Sequence, residues 1–260
     1  MNSNVGATHK EKNIYLWLTK FTNRNKKPEK TFCGTESRSL RTPSTDTTKH
    51  IATMNHPIRF TTPEEAVKVI KSGDHVHLSS VASVPQILVR AMTARGEAGE
   101  LQHVHIHHLH TEGEALYAVP EMEGIFQLDS FFVGGNVRNI TQQGFADYIP
   151  VFLSETQRLY RDGILPCNVA MIQVSTPDRH GYVSLGTSVD ATLAAVECAD
   201  TVIAVVNRHV PRSFGDSFIH TSQIDLFVED DTPLIEEHFA EPNDLECAIG
   251  RNCAALIEDG

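Results

Sequence analysis

The chain has 260 residues, enough for one large domain or two small ones with a sizeable core. Hydrophobic residues make up 40% and charged residues 21%, as in globular proteins, and no run of about 18 apolar residues predicts a membrane span. The net charge of −11 argues against a general nucleic-acid binder. We therefore expect neither nucleic acid nor a membrane among the partners.

The charge is unevenly divided along the chain. Residues 1–53 carry 10 Lys/Arg and 4 Asp/Glu, whereas the remainder is strongly acidic. Because this head is polar and weakly patterned, we predict a disordered N-terminal extension over 1–53 and a folded domain over 54–240. The 5 cysteines contain no CxxC pair and are expected to be reduced thiols. That expectation favours a cytoplasmic location, with a mitochondrial one left open for a eukaryotic source.

Regular patterning begins after Phe60. Thr62 is a good N-cap for a helix over Pro63–Ile70, with proline at the first helical position. A strand is predicted over His75–Ser79, followed by a loop of small residues. Pro85 then opens a helix over Gln86–Arg95.

Strands and helices alternate through the rest of the chain. Strands are predicted over Val104–Leu109, Ile125–Phe132, Tyr148–Phe152, Val169–Val174 and Thr201–Val206, and helices over Ser154–Arg161, Ser188–Cys198 and Asp244–Ile257. This alternation predicts an α/β fold with a mostly parallel sheet flanked by helices. The last helix, within residues 241–260, is expected to begin a second, truncated domain.

Histidines crowd one predicted strand and its surroundings. On a strand, His103, His105 and His107 would share a face, and imidazoles grouped in this way are zinc ligands in other proteins. No Cys or Asp lies inside the cluster, so we expect no metal. A metal-dependent enzyme using this strand stays as a third, less favoured alternative.

Two loops that follow predicted strands favour binding of an anion. The loop over Ser79–Pro85 is built of small residues, which allow backbone N–H groups to approach a carboxylate or phosphate. An ordinary strand–helix turn explains that loop equally well. In the second loop, Gly134 and Gly135 permit close backbone approach, and Arg138 could pair with a carboxylate.

Three stretches resemble a known family. They are the segments 148–155 (YIPVFLSE), 173–182 (QVSTPDRHGY) and 215–220 (GDSFIH), and each resembles the amino-terminal domain of acetyl-CoA hydrolase/transferases. This group includes acetate and 4-hydroxybutyrate CoA-transferases. The resemblance runs in consistent order from about Phe60 to Gly260.

The resemblance implies a two-domain CoA-transferase that moves CoA between acetyl-CoA, or another short acyl-CoA, and a carboxylic acid. In the family a glutamate carboxylate attacks the thioester, and that glutamate lies in the second domain. We therefore expect no catalytic residue in this chain and no CoA-transferase activity from the chain by itself. Coenzyme A is expected as substrate, without other cofactors. The expected partners are an acyl-CoA, a small carboxylic acid and the missing carboxy-terminal domain, with a homo-oligomer left open.

Parallel strands deliver their carboxyl ends to one edge of a sheet, so the loops after these strands should gather there. The substrate-binding residues predicted on this basis are Ser80, Ala82, Gly134, Gly135, Asn136, Arg138 and His220. The alternative reading is a non-catalytic module that binds carboxylates or a partner subunit.

Overall fold

Residues 58–236 and 240–258 are described by a computed structural model of the chain. The predicted extension over residues 1–53 lies outside the described part. Within that part, the predicted α/β fold with a parallel sheet flanked by helices is confirmed.

Seven strands form one sheet in which every neighbouring pair is parallel. They are β1 (His75–Leu78), β2 (Val104–His108), β3 (Phe126–Ser130), β4 (Ala146–Tyr148), β5 (Val169–Val174), β7 (Thr201–Asn207) and β9 (Leu226–Asp230). A separate antiparallel pair is formed by β6 (Tyr182–Ser184) and β8 (Phe218–His220). All six residues of β5 are buried, as expected for a central parallel strand covered on both faces.

The order of strands in the sheet is β4-β3-β2-β1-β5-β7-β9. The chain winds outward from β1 to β4, returns to place β5 beside β1, and then winds outward in the opposite direction. The winding therefore reverses between β1 and β5. In open α/β sheets, ligands bind in the crevice that forms beyond the carboxyl ends of the strands at such a reversal.

Helices cover both faces of the sheet. The α-helices are α1 (Pro63–Ala66), α2 (Gln86–Glu97), α3 (Arg138–Gln142), α4 (Thr156–Arg161), α5 (Thr192–Cys198) and α6 (Asp244–Ala254), with 3₁₀ turns over Val67–Val69, Pro120–Met122, Leu153–Glu155 and Thr221–Gln223. Among the described residues, none of the helices is both long enough and apolar enough to cross a membrane.

The core divides into two clusters, one on each face of the sheet. Leu88 and Met92 of α2 pack with Val76 and Ile106 on one face. On the other face, helices α4 and α5 pack together and cover the apolar residues of β5 and β7. Burial of these side chains is the main favourable contribution to folding.

Several predicted boundaries are wrong in instructive ways. The helix expected over Pro63–Ile70 tightens into a 3₁₀ turn after Ala66, although Thr62 caps it as predicted, with its hydroxyl accepting from the Glu65 amide at 3.2 Å. The strand expected over Tyr148–Phe152 instead ends at Tyr148. The apolar residues of this segment had suggested a buried strand, but Phe152 is 77% exposed and does not belong to the core.

Gly96 lies where α2 meets β3, and it provides a test of this packing. A Cβ at Gly96 would stand 2.6 Å from the Phe126 ring, whereas a Cβ at Gly250 of α6 would meet nothing within 4 Å. Alanine normally favours a helix over glycine by about 1 kcal/mol. We predict that Gly96→Ala nevertheless lowers the free energy of unfolding by roughly 1–2 kcal/mol, because overpacking outweighs helix propensity.

Chemical denaturation of the 260-residue chain measures this effect. The matched control is Gly250→Ala, which is also in a helix. This variant is expected to show no decrease in the free energy of unfolding. A Gly96→Ala variant as stable as the parent would show that α2 and β3 are not in close contact.

Candidate functional site

The crevice between β1 and β5 begins at the loop that follows β1. Val81 in this loop has φ = 53°, a left-handed conformation that costs a β-branched residue free energy. Two backbone hydrogen bonds stabilise this conformation. The Val81 amide donates to the His110 carbonyl at 2.6 Å, and the Glu112 amide donates to the Val81 carbonyl at 3.4 Å. The loop after β1 is thereby fastened to the loop after β2.

The backbone amides of this loop are mostly occupied by protein acceptors. Ser79 donates to Met171, Ser80 to the Ser188 hydroxyl and Val81 to His110, and the amides of Ser83 and Val84 donate within the loop. Among the described residues, the Ala82 amide has no such acceptor. The anion cradle expected from a run of small residues therefore reduces to one available amide, that of Ala82.

Two serine hydroxyls lie next to this amide. Ser79 and Ser80 are fully buried, and neither hydroxyl has a hydrogen-bond partner among the described residues. A buried polar group without a partner costs about 1–3 kcal/mol. Ser83 differs, because its hydroxyl lies 2.7 Å from the Thr187 hydroxyl. The first two serines retain donors that a ligand or a partner surface could use.

A cleft of about 180 Å³ opens beside Ala82 at the carboxyl edge of the sheet. The start of α2 and the segment after β9 form its walls, and polar side chains from three strand ends line it: Gln173, Asn207 and Asp230. Gln86 also lines it, and its side-chain oxygen is buried without a partner among the described residues. The cleft therefore combines apolar walls with a few unused polar atoms, as ligand pockets commonly do.

The loop Gly134–Asn136 contacts the segment 110–113, which follows β2. The Asn136 side-chain amide donates to the carbonyls of Thr111 at 2.9 Å and Gly113 at 3.3 Å. Gly134 is required because a Cβ there would stand 2.7 Å from the His110 ring. The structure thus brings Gly134 and Asn136 to the segment that fastens the loop after β1, and both have evident structural roles.

Tyr117 supports the same segment from beneath. Its hydroxyl lies 3.3 Å from the Thr111 hydroxyl, which also accepts from Asn136 at 3.2 Å. Burial raises the pKa of the Tyr117 phenol, so it stays protonated and acts as a hydrogen-bonding group.

Three charged side chains line the cleft at this edge, Arg90, Glu114 and Asp230. Arg138 is exposed, and no carboxylate among the described residues lies within ion-pair distance of it. Arg90 lies 3.4 Å from Glu114 in an exposed pair, and His110 lies 2.8 Å from Glu112. Among the predicted site residues, Arg138 is thus the basic side chain best able to donate hydrogen bonds to a carboxylate.

His220 lies in the β6–β8 pair. Its Nδ1 is 2.8 Å from the Ser222 hydroxyl, and its ring packs edge-on against Tyr182 with centroids 5.1 Å apart. Gly181 permits this approach, since a Cβ there would stand 2.9 Å from the His220 Nε2. These contacts connect His220 to the turn at 178–182, and none of them is with another predicted site residue.

Two polar residues of the cleft were missed by the sequence reasoning. Gln173 and Asn207 are 4% and 1% exposed, at the carboxyl ends of the buried strands β5 and β7. Gln173 donates to the Ala82 carbonyl at 3.5 Å, and Asn207 donates to the Thr232 carbonyl at 2.8 Å. The available signal was an amide side chain at the end of an otherwise apolar run.

Comparison with known proteins identifies the family of the chain. The family model of the acetyl-CoA hydrolase/transferase N-terminal domain matches residues 45–236. The 4-hydroxybutyrate coenzyme A transferase of Clostridium kluyveri is 41% identical over 202 residues, which cover 78% of this chain and 47% of that protein. The butyryl-CoA:acetate CoA-transferase of Anaerostipes caccae is 34% identical over 187 residues, or 69% of this chain and 40% of that protein.

Solved structures give the same relationship. RipA from Yersinia pestis superposes with a TM-score of 0.72 at 29% identity, covering 78% of this chain and 49% of RipA. The 4-hydroxybutyrate CoA-transferase of Porphyromonas gingivalis has a TM-score of 0.64 at 34% identity, covering 78% of this chain and 46% of that protein. The chain spans about half the length of the curated relatives it matches. It belongs to the acetyl-CoA hydrolase/transferase family, of which it carries the amino-terminal domain.

Proposed function

We propose that this chain supplies the amino-terminal half of an acyl-CoA:carboxylate CoA-transferase, which exchanges CoA between a short acyl-CoA and a carboxylic acid. The observation that supports this best is the unused amide of Ala82, a residue that lines the cleft, in a chain of this family. Coenzyme A is a substrate in this proposal, and the reacting carboxylate belongs to the other half.

The cleft is suited to hold a small carboxylic acid. Ala82 lines the cleft and its amide has no acceptor, while the Ser80 hydroxyl is buried nearby in the same loop without a partner among the described residues. A hydrogen bond to an anion is stronger than one to a neutral group. Gly134, Gly135, Asn136 and Arg138 do not line the cleft but are also proposed as members of the binding set, with Arg138 as its cation. His220 is retained as a more distant candidate, in contact with the 178–182 turn.

Helix α6 is proposed to begin the second domain. The Asn243 side chain accepts from the Glu246 amide, and the Glu246 side chain accepts from the Asn243 amide, so the helix start is fully capped. Its apolar residues Leu245 and Ile249 are nonetheless 69% and 54% exposed. A helix with a strong cap and an uncovered apolar stripe is consistent with packing against another domain.

The alternative of a non-catalytic binding module is less favoured. Such a module is expected to contain its whole binding site, with every buried polar group bonded. The buried hydroxyls of Ser79 and Ser80 and the Gln86 side-chain oxygen, however, have no hydrogen-bond partner among the described residues. The relatives named above are all transferases by name except RipA.

We predict that the 260-residue chain alone does not transfer CoA. The reason is that the glutamate proposed to attack the thioester belongs to the other half, so the chain alone has no nucleophile for the reaction. Radiolabelled acetate is incubated with acetyl-CoA, and incorporation of label into acetyl-CoA is measured. A fusion of this chain to the carboxy-terminal half of the Clostridium kluyveri relative is expected to be active, and the same fusion without that half's nucleophilic glutamate is expected to be inactive. Transfer by the 260-residue chain alone would contradict the proposal.

Ser80 and Ser83 form a matched pair for testing the binding site. In the 260-residue chain, Ser80→Ala is expected to leave the free energy of unfolding unchanged or raised, because it removes a buried hydroxyl without a partner. Ser83→Ala is expected to cost about 1 kcal/mol, because its hydroxyl is bonded.

The active fusion supplies the second readout for this pair. There Ser80→Ala is expected to raise the KM for the carboxylic acid roughly tenfold, through loss of a hydrogen bond to a charged group. An unchanged KM in Ser80→Ala would remove Ser80 from the binding set.

A further inference from the structure

One face of strands β1–β3 is polar where the same face of β5 and β7 is apolar. On β5 and β7 the residues facing α4 and α5 are apolar, for example Ala170 and Ala204. Strand β1 is in register with β5, so that His77 lies opposite Ala170. Side chains alternate along a strand, and the same face of β1–β3 therefore carries histidines and an aspartate.

Strand pairing brings these side chains together. His75 lies opposite His105 and His77 opposite His107 in the parallel pair β1–β2, and His107 lies opposite Asp129 in the pair β2–β3. The rings of His75 and His105 are stacked with centroids 4.4 Å apart. Four side chains from three adjacent strands thus meet: His75, His105, His107 and Asp129.

Three ring nitrogens of this group stand close enough to share one ion. One nitrogen each from His75, His105 and His107 lies within 4.8 Å of the others, and His75 Nδ1 is 3.0 Å from His107 Nε2. With Zn–N bonds of about 2.0–2.1 Å, tetrahedral ligand nitrogens stand roughly 3.3–3.4 Å apart. The observed separations, 3.0 Å for one pair and at most 4.8 Å for the others, therefore require the rings to shift when an ion binds.

Asp129 provides negative charge beside the nitrogens. Its Oδ2 is 2.7 Å from His105 Nδ1 and 3.5 Å from His107 Nε2. Because Asp129 contacts His107 at Nε2 and not at Nδ1, it lies beside the proposed ion as a negative charge and does not hold the ring from its other nitrogen.

The neighbouring histidines are used differently. Both ring nitrogens of His77 are occupied, by the Tyr160 hydroxyl at 3.0 Å and the Thr192 hydroxyl at 3.1 Å. His108 lies on the opposite face, against Tyr117. His103, expected from its spacing to join His105 and His107, precedes the strand with φ = 54° and is absent from the group.

We propose that His75, His105 and His107 bind one divalent transition-metal ion of the zinc class, with Asp129 as the adjacent carboxylate. Neutral imidazole is a preferred ligand of zinc and its neighbours in the series. The histidine spacing had raised zinc binding only as a less favoured alternative, with His103 in the group, and His75 joins the group through strand pairing.

The site is accessible and is separate from the cleft. His107 is fully buried, but the His105 side chain is 36% exposed, which leaves an entry path on one side. His75 is the first residue of β1, whereas the cleft lies beyond the carboxyl ends of the strands. An ion here would tie β1 to β2 and would not take part in CoA transfer.

The affinity of the site is expected to be moderate. His107 Nδ1 is buried without a partner among the described residues, so its N–H would have no acceptor while Nε2 holds the ion. Loss of such outer hydrogen bonds typically lowers metal affinity on the order of 10–100-fold. A chelator is therefore expected to strip the ion readily.

The test uses the 260-residue chain, stripped with a chelator and then titrated with Zn²⁺ or Co²⁺. We expect about one ion per chain, a higher Tm with Zn²⁺, and visible Co²⁺ absorption from a site with nitrogen ligands. In His105→Gln, Zn²⁺ affinity is expected to fall tenfold or more and the Tm increase to disappear. His105 is partly exposed, so this variant should fold, and the Tm of the stripped protein checks that it does.

His103→Asn is the matched control, from the same segment. Asparagine tolerates the left-handed conformation at this position, and the variant is expected to bind Zn²⁺ like the parent. The proposal is overturned if the parent binds no ion. It is equally overturned if His105→Gln binds as tightly as the parent, because the ion would then be held by other residues. CoA transfer by the active fusion is independent of either outcome.

Discussion

The reversal of winding between β1 and β5 is the constraint on which the rest of the structure depends. β1 has four residues and pairs with β2 on one side and β5 on the other, so its register fixes both halves of the sheet. Because the chain leaves β1 and β5 toward opposite ends of the sheet, a crevice opens beyond their carboxyl ends. Ala82 and Gln173, which line the cleft, come from these two strands or the loops that follow them.

The central strands β5 and β7 could be predicted from the sequence because nearly all of their residues are buried. The run Val169–Val174 was predicted with its observed bounds, and Thr201–Val206 was extended by one residue. The short strands β6, β8 and β9 were not predicted. Three to five residues carry too little periodicity to separate a strand from a turn, and their pairing depends on residues tens of positions apart.

The candidate site was predictable only in part. Loops after strands could be identified by their small residues, and Ala82 was among them. The sequence could not show that the other amides of that loop are occupied, since their acceptors, such as Ser188 and His110, come from distant segments. Whether Arg138 and His220 bind substrate stays a prediction.

The histidine face shows the same limit in a different way. Spacing along one strand suggested His103 as a member, whereas pairing between strands supplies His75 instead. A periodic pattern describes one element at a time. A site built across three strands depends on their register, which is fixed by the packing of the whole sheet.

The central claim is that the carboxyl edge of this sheet faces the other half of a CoA-transferase. Hydrogen–deuterium exchange of the 260-residue chain, alone and as part of the active fusion, measures it most directly. The account predicts slower exchange in residues 79–85, 110–114 and 134–138 on fusion, with no change in residues 98–103 at the opposite edge. Protection confined to that opposite edge, with none in the carboxyl-edge loops, would contradict it.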